Sequence, residues 1–126
     1  MTNTDTTTSN STAVVADYLA MWLESDETAR SQQLARVFTE DGRHVDPNAD
    51  ARGHGGIAEM MTAVHAQFPG FTMRQTSAVD THNDQLRFSW ELFGADGTPI
   101  VAGIDVGQVA PDGRLQSVTG FWGELA

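Results

Sequence analysis

The sequence contains no cysteine and no lysine, and both absences limit its function. Without cysteine there can be neither a disulfide framework nor a thiolate metal site. All seven basic residues are arginines, set against 17 acidic residues, and the net charge is −10. Nucleic acids and anionic membranes require a basic surface, so neither is expected as a partner. No apolar segment reaches the length of a membrane-spanning helix.

The N-terminal residues 1–11 differ in composition from the rest of the chain. They are almost entirely Thr, Asn, Ser and Asp, and they lack the basic and apolar parts of a signal peptide. We therefore predict a disordered tail at 1–11 and a cytoplasmic protein. The remaining residues, 12–126, are enough for one hydrophobic core and too few for two domains.

Helical periodicity predicts three helices in the first half of the chain. The first starts at Thr12, and its apolar residues recur at three- and four-residue spacing: Val15, Tyr18, Leu19, Trp22 and Leu23. The second covers roughly 28–39. A short strand at 43–46 and a loop at 47–56 precede the third helix, whose apolar stripe consists of Ile57, Met60, Met61, Val64 and Phe68.

The second half of the chain has the two-residue periodicity of strands. We predict strands at 71–81, 86–93, 99–109 and 114–122, separated by turn-like sequences rich in Asn, Asp and Gly. Helices followed by a meander of strands are typical of an α+β fold, in which the helices pack on one face of a mostly antiparallel sheet.

Three side chains are candidates for chemistry: Tyr18, Asp46 and Asp105. Asp105 lies in the middle of an apolar strand, where a carboxylate is costly to bury unless it is neutral or hydrogen-bonded. Neither a turn nor a helix cap explains an acid at that position. Tyr18 is also compatible with ordinary core packing, and Asp46, which precedes a proline, with a turn.

Three segments carry a resemblance to a known family: Thr12-Ala-Val-Val-Ala-Asp-Tyr18, Val45-Asp46-Pro47 and Val101-Ala-Gly-Ile-Asp105. In this order of elements the chain resembles the nuclear transport factor 2-like superfamily, which includes ketosteroid isomerases and SnoaL-like polyketide cyclases. The resemblance covers nearly all of 12–124. It implies a cone-shaped α+β fold, in which three N-terminal helices pack on a curved, mostly antiparallel sheet that encloses a pocket.

The closest functional resemblance is to ketosteroid isomerase, and it implies a role for each candidate. Tyr18 and a protonated Asp105 would form the oxyanion hole, and Asp46 would be the general base. The implied reaction is isomerisation of a small hydrophobic carbonyl compound. A base takes a proton alpha to the carbonyl while fixed donors hold the enolate oxygen. No cofactor is expected.

His44 departs from the isomerase pattern, which is apolar at that place. It lies two residues before Asp46, so both side chains point to the same face of the strand. A cationic His44 would lower the pKa of Asp46, a neutral one could relay its proton, or His44 could itself be the acid or base. A metal site is not expected, because no third ligand is visible beside this pair.

The sequence also offers candidates for the pocket wall and for a subunit interface. The predicted pocket residues are Trp22, Trp90, Gly103, Met61 and Phe121. Since Gly103 and Gly107 lie two residues either side of Asp105, we expect open space beside that acid. Phe121 and Trp122 point to opposite faces of their strand, so only one of them can face the pocket. The resemblance further implies a homodimer formed through the sheet.

Other functions on the same fold remain open. A SnoaL-like cyclase would use one carboxylate or histidine as acid–base catalyst on a polyketide. A non-catalytic module for ligand binding or dimerisation is also compatible, because fold does not fix function. An epoxide hydrolase of the limonene type is disfavoured, since it would place an arginine two residues before the strand aspartate, where this chain has Gly103.

Overall fold

Three helices cover one face of a single sheet in the computed structural model, which describes residues 2–124, with side chains from residue 10 onward. The helices are α1 (Thr2–Leu23), α2 (Glu27–Val37) and α3 (Gly53–Gln67). Helix α1 thus begins before the predicted Thr12. The predicted tail, 1–11, falls mostly on residues whose side chains lie outside the described part, so its disorder stays a prediction.

The sheet contains seven strands. They are β1 (Phe38–Asp46), β2 (Ala49–Arg52), β3 (Thr72–Gln75), β4 (Asp80–His82), β5 (Gln85–Phe93), β6 (Pro99–Val109) and β7 (Leu115–Trp122). Their order is β2-β1-β7-β6-β5-β3, with β4 also paired to β5. All pairs are antiparallel except β1 with β7. The predicted α+β architecture is confirmed.

Several predicted segments are wrong. Strand β1 begins at Phe38 rather than at 43, so the second helix ends at Val37 and not at 39. The segment 47–56 is not a loop, since β2 forms a hairpin with β1 in which Asp46 pairs with Ala49. Pro47 and Asn48 form the two-residue turn of this hairpin. Strand β2 has only four residues and follows turn-forming residues directly, so it shows no recognisable two-residue period in the sequence. The predicted strand 71–81 is two strands, β3 and β4, which pair with different parts of β5.

The sheet has one buried face and one exposed face. Along β5 and β6 the side chains alternate between buried and more exposed positions, as the two-residue period requires. The inner face packs under the helices and contributes Phe88 and Val118 to a core that also contains Tyr18, Phe38 and Met61. Within residues 2–124, no helix is both long and apolar enough to cross a membrane.

Candidate active site

A cavity of about 400 Å³ lies between the helices and the inner face of the sheet. Its walls are mostly apolar and come from α1, α3 and strands β1, β2, β3, β5, β6 and β7. Six polar residues interrupt the apolar wall: Tyr18, His44, Asp46, Asn48, Gln67 and Asp105. An apolar cavity of this size with a few convergent polar groups is typical of a binding site for a small molecule.

Tyr18 and Asp105 form a buried hydrogen-bonded pair in this wall. The Tyr18 hydroxyl donates to Asp105 Oδ2 over 2.9 Å, and both residues are at most 5% exposed. Tyr18 is held by aromatic contacts with Trp22, Phe38 and Phe88, whose ring centroids lie 6.0–6.5 Å from its own. Burial raises the pKa of the Tyr18 hydroxyl, and the neighbouring Asp105 charge raises it further.

A glycine on the neighbouring strand makes room for the Asp105 carboxyl. Asp105 is in register with Phe88 on β5 and with Gly120 on β7. A Cβ at Gly120 would lie 2.8 Å from Asp105 Oδ1 and 3.4 Å from the Cβ of Asp46. Any larger residue would therefore displace the carboxyl, and Gly120 is what allows two acids to share this part of the inner face.

His44 and Asp46 form a second pair in the same cavity. His44 Nε2 lies 2.9 Å from Asp46 Oδ2, and the backbone N–H of Asn48 donates to Asp46 Oδ1 over 2.8 Å. The His44 ring also packs edge-on against Trp22, at 5.8 Å between centroids. No cluster of three or more metal-ligating side chains occurs among the residues that the structure describes.

The pKa values of the two acids move in opposite directions. Burial raises the pKa of Asp105, and the Asp46 charge adds to that effect. Burial also acts to raise the pKa of Asp46, but hydrogen bonds from His44 and from the Asn48 N–H outweigh it and hold the pKa below its usual value. The site thus shifts Asp105 towards its protonated form, although His44, Tyr18 and Trp90 act against that shift, and it shifts Asp46 towards its ionised form. These two directions suit one hydrogen-bond donor and one base.

Three buried nitrogen atoms around the cavity have no hydrogen-bond partner among the described residues. They are Nε1 of Trp22, Nδ1 of His44 and Nε1 of Trp90, and each residue is less than 7% exposed. Buried polar atoms are nearly always paired in native proteins. Their concentration around one cavity distinguishes it from the rest of the core.

Comparison with known families identifies the domain. A family model described as a SnoaL-like domain matches residues 15–118, most of the chain. The chain belongs to the SnoaL-like family. The crystal structure of a candidate isomerase of the SnoaL-like family from Agrobacterium tumefaciens strain C58 is 33% identical to it. That match covers 92% of this chain and 99% of the other, with a TM-score of 0.87.

More distant structures share the fold of this SnoaL-like protein. A candidate polyketide cyclase from Sinorhizobium meliloti is 17% identical, over 86% of this chain and 93% of the other, with a TM-score of 0.69. A nuclear transport factor 2-like protein of unknown function from Exiguobacterium sp. 255-15 is 14% identical, over 89% and 99%, with a TM-score of 0.72. No curated protein matches the chain. The predicted superfamily and its α+β fold are confirmed.

The SnoaL-like protein brings most of the predicted site residues to one cavity. Tyr18, His44, Asp46 and Asp105 all line it, and so do the predicted pocket residues Trp22 and Trp90. The two aspartates come from strands far apart in the sequence, and the pairing of β1 and β6 with β7 brings them close.

Three predicted pocket residues do not line the cavity. Phe121 is 63% exposed on the outer face of β7, and its neighbour Trp122 lines the cavity instead. Met61 is fully buried in the core, one position from the lining residue Met60. At Gly103 the expected space is already filled, because a Cβ there would lie 2.7 Å from Cζ2 of Trp90.

Sequence reasoning missed Gly120 and several wall residues. The sequence predicts open space beside Asp105 from the glycines on its own strand, whereas Gly120 on the neighbouring strand provides it. A glycine inside a predicted strand was the available indication, but only the register of β6 with β7 identifies which one faces the acid. The helical wall residues Val64 and Phe68 belong to a stripe that predicts core packing equally well.

Proposed function

We propose that this SnoaL-like protein binds a small, uncharged, apolar carbonyl compound and transfers a proton alpha to its carbonyl group. One observation carries the proposal: a buried Tyr18–Asp105 pair and a carboxylate with a lowered pKa, Asp46, line the same apolar cavity. This combination supplies both donors for an oxyanion and a base for a carbon acid.

In the proposed reaction Asp46 accepts the alpha proton, and the C–H electron pair moves into the substrate to form an enolate. Tyr18 and protonated Asp105 donate hydrogen bonds to the enolate oxygen, with Tyr18 turning its hydroxyl from Asp105 to the ligand. Asp46 then returns the proton to the gamma carbon, so that the double bond moves into conjugation with the carbonyl. Fixed donors of this kind contribute on the order of a hundred- to a thousandfold each.

The charges around the cavity support an uncharged ligand. No arginine is among the described lining residues, and the chain contains no lysine. The described wall contains two acidic side chains, Asp46 and Asp105. A carboxylate, phosphate or other anionic ligand would therefore meet no arginine or lysine in the described wall and would lie near Asp46, at a large desolvation cost.

An isomerisation assay tests the proposal. A Δ5-3-ketosteroid is incubated with the protein, and the conjugated ketone is followed by its ultraviolet absorbance. Asp46→Asn should lose activity by at least about a hundredfold, the usual contribution of a general base. The matched control is Asp50→Asn on β2, because Asp50 is exposed, pairs with Arg43 and does not line the cavity. Unchanged turnover in Asp46→Asn would remove Asp46 as the base.

The His44–Asp46 hydrogen bond favours a second candidate, a polyketide cyclase-like aldol reaction. There the same base would remove an alpha proton, and the enolate carbon would attack a second carbonyl of the same molecule. The attacked carbonyl oxygen then takes up the proton. A 1,5-diketone probe separates the two functions, since cyclisation forms a carbon–carbon bond that NMR detects. Binding of either probe without turnover would indicate a non-catalytic ligand-binding module.

We further propose that two copies of the chain associate through the outer face of the sheet. Ile104 and Phe121 are cross-strand neighbours there, 48% and 63% exposed. Two exposed apolar residues in one place favour a protein partner. The resemblance to sheet-mediated homodimers in this superfamily points to a second copy of the chain.

Charge on this face also favours a second copy. Among the residues that pair between strands, the outer face of the sheet carries four of the seven arginines and three acids. Six of these residues form three salt bridges: Arg43–Asp50, Arg74–Glu91 and Arg87–Asp80. The fourth arginine is Arg52, beside Asp50. Two copies that each carry a net charge of −10 repel one another over most orientations, and this face avoids that repulsion.

A further inference from the structure

Two tryptophans beside the Tyr18–Asp105 pair carry N–H groups with no partner. Nε1 of Trp22 and Nε1 of Trp90 are both buried and unpaired among the described residues, and both indoles line the cavity. A buried donor without an acceptor destabilises the fold, and native interiors contain few of them. Two unpaired N–H groups in one cavity wall therefore indicate that these donors find their acceptors only when a ligand is bound.

Trp90 is placed against Asp105 by Gly103. Trp90 and Gly103 are cross-strand partners. A Cβ on Gly103 would lie 3.2 Å from Cε2 of the Trp90 indole, the atom bonded to Nε1. Asp105 is two residues further along the same face of β6, so the N–H edge of the indole lies beside its carboxyl. The indole acts to lower the pKa of Asp105, as a donor facing the carboxylate does.

Trp22 is placed against Tyr18 by the helix. It follows Tyr18 by four residues on α1, so the two side chains are neighbours on one face. Their rings meet edge to face, with centroids 6.5 Å apart. The indole acts to lower the pKa of the Tyr18 hydroxyl, which again is the effect of a donor facing the oxygen.

We infer that Trp22 and Trp90 are positioning residues whose indole N–H groups stabilise negative charge on the Tyr18–Asp105 pair when an oxyanion binds there. This inference rests on the proposed function and extends it to two residues that do not bond the ligand. Their N–H atoms are closed off from the cavity, so they act through Tyr18 and Asp105.

The mechanism follows from the change in charge. Without ligand, Tyr18 donates to Asp105. Burial favours the protonated forms of both groups, and protonated oxygens are weaker acceptors for the indoles than charged ones. When both groups donate to an enolate or phenolate oxygen, part of the negative charge passes to their own oxygens. Hydrogen bonds to charged acceptors are shorter and stronger than those to neutral ones. Each indole N–H then closes a bond that the unliganded site leaves open.

The test measures the ionisation state of a bound phenol in Trp22→Phe and Trp90→Phe. A naphthol serves as the probe, because its ultraviolet absorbance distinguishes the phenolate from the neutral phenol. Each substitution should lower the ratio of ionised to neutral bound naphthol by about tenfold, the lower range for a hydrogen bond to a charged group. Trp122→Phe is the matched control, since Trp122 lines the same cavity and its N–H is not one of the unpaired buried atoms.

The outcomes separate this inference from the proposed function. If wild type binds naphthol largely ionised and both substitutions leave the ionised fraction unchanged, the indoles only pack and the inference is wrong. If wild type binds no phenolate, the donor pair itself and the proposed function fail. Should a Phe variant not fold, biosynthetic replacement of tryptophan by benzothienylalanine, which keeps the shape but lacks the N–H, gives the same readout.

Discussion

The hydroxyl of Tyr18 and the carboxyl of Asp105 lie 2.9 Å apart in the cavity wall, although 87 residues separate them in the sequence. The pair is buried and sits within an aromatic shell, and burial raises the pKa of both groups, which favours their protonated forms. Neutral acids that are fixed before the ligand arrives can donate to an oxyanion without reorganisation.

Asp105→Asn should make the protein more stable at neutral pH. Because the pKa of Asp105 is raised in the folded state, the folded chain binds its proton more tightly than the unfolded chain. The contribution of Asp105 to stability is therefore lost as the pH rises from about 3.9 through its folded-state pKa, and the asparagine variant lacks this loss. Urea unfolding of both proteins across this range should give curves that converge at low pH and diverge towards pH 7. Curves that stay parallel would contradict a raised pKa.

Gly120→Ala should damage the site without touching a ligand. The new Cβ would lie 2.8 Å from Asp105 Oδ1, so the carboxyl must shift away from its place beside Tyr18. We expect a loss of about 1–3 kcal/mol in unfolding free energy and about a tenfold loss of naphthol affinity. Gly55→Ala is the control, since a Cβ there meets nothing within 4 Å. Equal affinity in both variants would show that Asp105 tolerates the displacement.

His44→Phe should raise the pKa of Asp46. The hydrogen bond from His44 is the largest influence that lowers this pKa. Without it, burial still raises the pKa, and chiefly the hydrogen bond from the Asn48 N–H lowers it. As a base, Asp46 would then be stronger but ionised only at higher pH. An NMR titration of the Asp46 carboxyl carbon measures the change without requiring turnover. His82→Phe, at a residue outside the cavity, should leave the titration unchanged.

Phe121→Asp should separate the proposed dimer. A charge at this position opposes burial of the apolar centre that Phe121 forms with Ile104 on the outer face. Sedimentation equilibrium should give a dimer for wild type and a monomer for the variant. Gln32→Glu adds one charge on α2, away from that face, and should remain dimeric. A monomeric wild type at micromolar concentration would overturn the proposed interface.

The pattern of the sequence determined the fold class and the chemical candidates. A helical period in the first half and a strand period in the second are local properties, and they predicted β5–β7 to within one residue and the C-terminal part of α1. Asp105 also stood out locally, because an acid in an apolar strand requires an explanation whatever it packs against.

Contacts between distant segments were decided only by the tertiary structure. The parallel pairing of β1 with β7 brings Asp46 to the Asp105 side of the sheet, and the β6–β7 register sets Gly120 opposite Asp105. Sequence patterns specify which face a side chain occupies, but not which neighbour it meets. For that reason the sequence singled out Tyr18, Asp46 and Asp105, and only the packed sheet showed that Trp122 rather than Phe121 completes the wall.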